Sequence, residues 1–273
     1  MSTFIPSEFE STDRSTAWDG LFSCMSDEQH LDFVEQYRSE VDLRDELKVL
    51  EIGAGSGAVS QRILGWPGVT CVEGVDNDVQ LHEHALARYE DIEGLRFTKA
   101  DARKLPHPVA TFDLVVFHCS LAHIPEPEKA VAEAFRVLEP GGQILIFEGD
   151  FGALSFANSY LDLFEFIGKF TASQAALDPW LVRRIPELLA RQGFGVERER
   201  AFAYTARGTC EYLLGLLDRG VDQMLKQRAI GPVLAEALKG EARRRIAVGD
   251  FHASIPYLCF SARKPQADVG GGI

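Results

Sequence analysis

The chain has 273 residues, 46% of them hydrophobic, 25% charged and 10% aromatic, a composition that excludes disordered, collagenous and coiled-coil architectures. Its 28 Lys and Arg against 41 Asp and Glu leave a formal charge of -13, the wrong sign for counterion-driven binding to nucleic acid or to an anionic membrane surface. Five scattered cysteines with no C-x-x-C pair argue for reduced thiols and against a disulfide framework or a metal site, and the predicted metal complement is none.

The length fits one large domain or one domain with a substantial insertion. The first residues lack a basic stretch followed by an apolar one, and no apolar run approaches the roughly 18 residues of a membrane span. The expectation is a cytoplasmic protein.

Residues 1–45 are polar and acidic, with Trp18, Leu21, Phe22, Met25, Leu31, Val34 and Tyr37 spaced for one or two amphipathic helices, a helical cap ahead of the main domain. From residue 46 to 150, short apolar runs alternate with helix-period segments. Strands are predicted at 49–52, 69–75, 95–99, 113–117 and 143–147, and helices at 58–64, 79–89 and 127–138. Such alternation predicts a doubly wound α/β domain with a parallel sheet. Residues 151–264 change rhythm, with a helix at 181–191 closed by Gly193, a strand at 196–204, a helical block at 210–246 and a last strand at 251–262. Phe156, Tyr160 and Phe164 recur every fourth residue, predicting one aromatic helix face, either core or the lining of an apolar acceptor pocket that Trp18 and Phe22 would help to close. The residues from 265 to 273 are expected to be a disordered tail.

The strongest local signal is a strand running into Gly53, Gly55 and Gly57 and then a helix. Glycines permit positive φ and close backbone approach, and the following helix presents unpaired N–H groups. The spacing also satisfies the dinucleotide pattern G-x-G-x-x-G/A through Ala58, so the loop alone is ambiguous. Glu51, two residues before the first glycine, would face a pyrophosphate unfavourably but an amino-acid ammonium favourably. Asp76, 19 residues after Gly57, ends the second strand where a carboxylate accepts from a ribose diol. Asp101 follows the third strand, placed to accept from the exocyclic amine of adenine. Ribose, adenine and ammonium without phosphate together describe S-adenosylmethionine.

Glu51 with Gly53, Gly55 and Gly57, Asp76 with Asn77, Asp101 with Ala102, the strand Phe112 to Val116, and the segment Arg136 to Gly142 stand in order and register. In these motifs, over about residues 47–150, the sequence resembles class I S-adenosylmethionine-dependent methyltransferases, the broad type that includes ubiquinone and menaquinone biosynthesis enzymes and many natural-product methyltransferases. The resemblance implies a Rossmann-like seven-stranded sheet with an N-terminal helical cap and helical insertions after strands five and six. It implies that Gly53, Ala54, Gly55 and Gly57 line the methionine part of the cofactor, Asp76 and Asn77 the ribose, Asp101 and Ala102 the adenine, and the loop from Phe117 the sulfonium side. Where the family often reads His-His before Pro-Asp-Pro, this chain has Ala122 and His123 before Ile, Pro, Glu and Pro127; His123 is kept with the cofactor group, and no role is carried over for the missing histidine.

Ligand crevices in open α/β sheets lie beyond the carboxyl ends of the strands, so acceptor-side candidates follow strands four and five. His118 is the candidate base or acceptor-orienting group, the alternative being simple packing against cofactor or backbone. Glu148 and Asp150 would attract a cationic amine, the alternative being that one faces solvent and the other caps the next helix. Cys119 has no readable activating partner and is taken as packing, and His82 and His84, two apart on a helix, are unsuited to shared metal ligation. The predicted function is S-adenosylmethionine-dependent methyl transfer to O, N, S or C of a small molecule of secondary or quinone-like metabolism, by a monomer or homodimer. A nicotinamide-dependent oxidoreductase, disfavoured by Glu51 and Asp101, and a non-catalytic protein retaining the cofactor fold are the alternatives.

Overall fold

In a computed structural model of the chain, residues 28–207 and 211–266 are described. Trp18, Leu21, Phe22 and Met25 lie outside those residues. The first described element is helix α1 (Glu28–Tyr37), whose buried residues His30, Phe33, Val34 and Tyr37 follow the i, i+3, i+4, i+7 spacing of a single stripe.

Strands β1 (Leu47–Ile52), β2 (Val69–Asp76), β3 (Leu95–Lys99), β4 (Phe112–His118) and β5 (Leu138–Gly149) are parallel neighbours. Between them run helices α2 (Ala58–Leu64), α3 (Val79–Tyr89) and α4 (Pro127–Val137). β1, β4 and β5 are the near-continuous apolar runs demanded of strands covered on both faces. Local chemistry places the helix starts: the Asp78 side chain accepts from the backbone N–H groups of Gln80 and Leu81, and Pro127 sits in the first turn of α4, where no N–H is needed.

After β5 come α5 (Leu163–Ala175), a 3-10 turn (Leu181–Arg184) running into α6 (Ile185–Arg191), and strand β6 (Gly195–Arg207). Two further helices, α7 (Glu211–Lys226) and α8 (Pro232–Ala247), precede β7 (His252–Arg263). The sheet order is β3-β2-β1-β4-β5-β7-β6, with β7 antiparallel to both neighbours. The predicted seven-stranded sheet, with helical insertions after strands five and six, is the observed one. β6 ends the sheet as an edge strand whose run Glu197, Arg198, Glu199, Arg200 is exposed, the charged edge that discourages further strand pairing.

Side chains alternate along β5: Leu145 and Phe147 enter a core with α1, α5, α7 and α8, whereas Ile144 and Ile146 enter a second core with α4 and α6. The first core draws on the cap, on strands β1 to β5 and on the segment after residue 150, which thus bury one continuous apolar cluster. At its centre is Phe147, with no exposed surface, stacked against His118 at 5.0 Å and Tyr257 at 5.0 Å and packed by Phe33, Tyr37 and Phe202.

One expectation needs correction. Phe156, Tyr160 and Phe164 do not share a helix: α5 begins only at Leu163, Phe156 and Phe164 are buried, and Tyr160 is 89% exposed. The N-cap Asp162, which accepts from Phe164 N and is paired with Arg245, fixes that late start; the four-residue repeat was composition without helical backbone. Lys264, the residue before the expected tail, is held by backbone bonding to Gly142 and by its ammonium donating to the carbonyls of Phe135 and Leu138.

Phe147→Ala should destabilise the folded chain by about 3–5 kcal/mol, the cost of truncating a fully packed aromatic. Urea unfolding at pH 7.5 measures it, and a loss below about 1 kcal/mol would mean that the aromatic core collapses around the gap.

Candidate active site

β1 delivers its carboxyl end into a loop in which Gly53, Gly55 and Gly57 have φ of +79°, +54° and +81°. The space is as tight as the dihedrals are restrictive. A Cβ on Gly53 would lie 2.4 Å from the Cβ of Ser120, and one on Gly57 2.5 Å from Cζ of Phe97. The N–H groups of Gly53 and Ala54 both donate to the Val75 carbonyl, at 2.8 and 3.0 Å, while the Ser120 hydroxyl donates to the Ile52 carbonyl at 2.7 Å. The ends of β1, β2 and β4 are thereby tied into one rim.

Three sequence-predicted residues stand on that rim. Glu51 is 1% exposed and accepts a hydrogen bond from the Ser60 hydroxyl on α2. Burial pushes its carboxyl up to about 8, the Ser60 bond opposing and nearby Asp76 reinforcing the rise. Asp76 accepts from Gly55 N through Oδ2 and from Asp78 N through Oδ1, both at 2.9 Å. Burial raises its carboxyl too, against the pull of those bonds. The Asn77 backbone also bonds to it, and the carboxylate, with about four lone-pair sites, keeps acceptor capacity beyond these donors. Asn77 beside it is exposed.

Asp101 is differently placed. The guanidinium and the backbone N–H of Arg103 donate to its carboxylate at 2.7 to 3.2 Å, holding it below the usual carboxylate range, and the same guanidinium reaches Glu126 at 3.4 Å. An adenine amine at Asp101 would therefore share the carboxylate with Arg103. Ala102 is half-buried.

On the acceptor side, His118 ends β4 with its Nδ1 2.9 Å from the Tyr37 hydroxyl and its ring stacked on Phe147. Burial pushes its imidazole down to about 3, with the charge of His30 adding to the effect, so the ring is neutral throughout the physiological range. The next residue, Cys119, has φ of +52°, an unfavourable left-handed conformation for a side-chain-bearing residue, held by its N–H donating to the Phe147 carbonyl. Phe117 is fully buried in the core beneath α4, so its ring is turned into that core. His123 is exposed and edge-on to Phe151.

Glu148 and Asp150 depart from expectation. Neither faces solvent. Glu148, 1% exposed, accepts from the N–H groups of Leu121 and Ala122, capping the short turn Leu121–His123 after β4 instead of the next helix. Asp150 takes a two-pronged contact from the Arg183 guanidinium at 2.8 to 3.2 Å, and that guanidinium lies 4.4 Å over the Trp180 ring. Asp150 thus already has a resident cation, with which an acceptor amine would share the carboxylate.

Sequence reasoning missed Tyr37, Ser60, Arg103 and Arg183. Tyr37 carried a usable signal, since it closes the apolar stripe that begins at His30. Nothing local to Arg183 announces Asp150, 33 residues away.

Comparison with known proteins bears on both the family and the fold. Residues 50–146 match the family described as "Methyltransferase domain". The chain is 27% identical over 152 residues to the ubiquinone/menaquinone biosynthesis C-methyltransferase UbiE of Psychromonas ingrahamii, covering 52% of this chain and 61% of that protein. It spans about three fifths or less of the first curated relatives it matches. Among solved structures, the YcgJ protein of Bacillus subtilis superimposes with a TM-score of 0.62 at 17% identity, covering 87% of this chain and 100% of that one. Phosphoethanolamine N-methyltransferase 2 of Haemonchus contortus, solved with phosphomonomethylethanolamine and S-adenosylhomocysteine, gives 0.57 at 18% identity over 93% of this chain and 60% of that one.

The His118 ring should show no titration between pH 8 and 5 in a histidine-selective NMR experiment. An unfolded histidine takes its proton near 6.5, above the folded value of about 3, so the folded state is favoured above pH 6.5 and penalised as pH falls towards 3. The urea midpoint should accordingly drop less steeply from pH 7 to 4 in His118→Gln than in the unchanged protein.

Proposed function

Taking residues 50–146 as a methyltransferase domain set on the seven-stranded, Rossmann-like sheet of the S-adenosylmethionine-dependent class, we propose that the chain transfers a methyl group from S-adenosylmethionine to a small-molecule acceptor. The observation that carries this reading is the pair of carboxyls at the strand ends. Glu51 is buried beside Asp76 with no cation paired to it among the described residues, two residues before a loop in which Gly53 and Gly57 leave no room for a Cβ. A nucleoside bearing an ammonium group fits that arrangement; a pyrophosphate does not.

The chain's own residues divide the work. Glu51 would hold the ammonium group, Asp76 the ribose diol, the Gly53–Gly57 loop the close approach of the amino-acid part, and Asp101, shared with Arg103, the adenine edge. When bound, the cofactor supplies an electrophilic methyl on a sulfonium sulfur. Fixing an acceptor in line with such a centre is worth about 7–11 kcal/mol, against about 3–5 kcal/mol for a general base. His118 is suited to fixing the acceptor. A ring with a pKa of about 3 is a poor proton acceptor at neutral pH, but hydrogen-bonded to Tyr37 and stacked on Phe147 it orients an acceptor and keeps its polarity fixed. Tyr37, Phe147 and the helix α1 behind them exclude water from this side, which preserves the transfer step from competing hydrolysis.

UbiE is by name a C-methyltransferase and the Haemonchus contortus protein an N-methyltransferase; what their names share is methyl transfer, and the acceptor atom here is one of C, N, O or S. The bulk charge of -13 supports a small acceptor over nucleic acid. No described helix is long and apolar enough to cross a membrane. Our reading extends to a cytoplasmic enzyme of secondary metabolism, active as a monomer or homodimer.

Isothermal titration with S-adenosylhomocysteine tests the proposal. Asp76→Ala should weaken binding by roughly 10- to 100-fold, the loss of hydrogen bonds to a charged acceptor. Unchanged affinity in that variant, or no binding to the parent protein, refutes it.

A further inference from the structure

Glu51 closes β1 on the floor of the candidate site, 1% exposed. The groups that face it are the Ser60 hydroxyl from α2, the Asp76 carboxyl at the end of β2 and the Tyr37 phenol from α1. On its flanking strands the register partners are Gly74 of β2 and Val116 of β4, neither of which bears charge. Among the described residues no Lys, Arg or His pairs with it. An anion in such a place has lost its water and gained one hydroxyl in exchange, with a second carboxyl close by, so the neutral acid is the stable form.

Resting on the cofactor reading above, we propose that the Glu51–Ser60 pair makes cofactor binding an exchange of one proton for one ammonium. Glu51 is a neutral acid in the ligand-free protein; on binding, its O–H bond breaks, the proton passes to solvent, and the carboxylate left behind pairs with the α-ammonium of the ligand. Charge balances: a zwitterionic ligand of no net charge binds, one proton goes to solvent, and the bound complex carries the one negative charge left on Glu51, which faces the ligand's ammonium group. Ser60 donates to whichever form is present, and its bond favours the ionised one, easing the release. The pair therefore reads the amino-acid half of the cofactor. A nucleoside without an ammonium leaves Glu51 protonated and forgoes the ion pair.

The proton count can be measured directly by calorimetry of S-adenosylhomocysteine binding in two buffers of different ionisation enthalpy, phosphate and Tris, with 5'-methylthioadenosine as the ligand lacking the amino-acid part. With the Glu51 carboxyl near 8, about 0.9 proton should be released at pH 7 and about half a proton at pH 8. Affinity should rise about ninefold from pH 6 to 7 and about fivefold from pH 7 to 8. 5'-Methylthioadenosine should bind with no proton release and a flat pH profile. Glu51→Gln mimics the neutral acid, so it should melt at the parent temperature at pH 7 while binding S-adenosylhomocysteine more weakly, without proton release. Ser60→Ala should shift the affinity rise to higher pH. Tight binding with no proton exchange overturns this inference and leaves the cofactor reading standing. Equal proton release by both ligands overturns it too, since the proton then comes from the nucleoside side. If folded protein binds S-adenosylhomocysteine at no pH, the proposed function falls with it.

Discussion

A carboxyl buried at the end of a parallel strand with no cation beside it is an arrangement that folding alone does not favour. Apolar β1 carries Glu51 into the interior because Val49, Leu50 and Ile52 are all fully buried, and the strand cannot bury them without taking Glu51 along. The Ser60 hydroxyl gives the minimum satisfaction that a buried acid requires. Everything else at this end of the sheet is arranged around that group. The glycine loop follows it directly, Asp76 stands one strand away, and the Ser120 hydroxyl ties the loop after β4 to the same rim.

A second constraint comes from the helix α1. His30 and Tyr37 lie seven residues apart on one buried stripe, and each makes a polar contact with a different strand of the sheet. His30 Nε2 is 2.7 Å from the Tyr257 hydroxyl, which in turn lies 3.1 Å from that of Tyr212, and Tyr37 meets His118. Phe147 sits among them, stacked on His118 and on Tyr257. One amphipathic helix thus fastens the end of β4 to β7 and α7 through aromatic packing and three hydroxyls. That explains why burial holds the His118 imidazole neutral, although the residue was chosen in sequence for near-neutral titration.

The α/β core was legible almost to the residue. Helices at 58–64 and 79–89 and the strand at 95–99 have the predicted bounds, because glycines, an Asp cap and short apolar runs punctuate them locally. The strand at 143–147 proved to begin at Leu138, since a Pro-Gly-Gly run reads as a turn while the sheet continues through it. Phe156, Tyr160 and Phe164 misled for the converse reason, periodicity without a continuous helical backbone. Which residues follow the strand ends was legible because they come in fixed order. The bonding of Asp150 and Glu148 was not, because their partners lie 33 and 27 residues distant.

The sequence by itself determined which residues stand at the carboxyl ends of the strands, since alternating apolar runs and helix signals mark out the strands and place Glu51, Asp76, Asp101 and His118 at or beside those ends. Tertiary structure alone decided what those groups are worth. Whether a carboxyl is an open acceptor like Asp76, a neutral acid like Glu51 or half of an ion pair like Asp101 and Asp150 depends on what packs against it from elsewhere in the chain. Desolvation and charge pairing act through space, at distances of a few ångströms, and carry no mark in the local sequence.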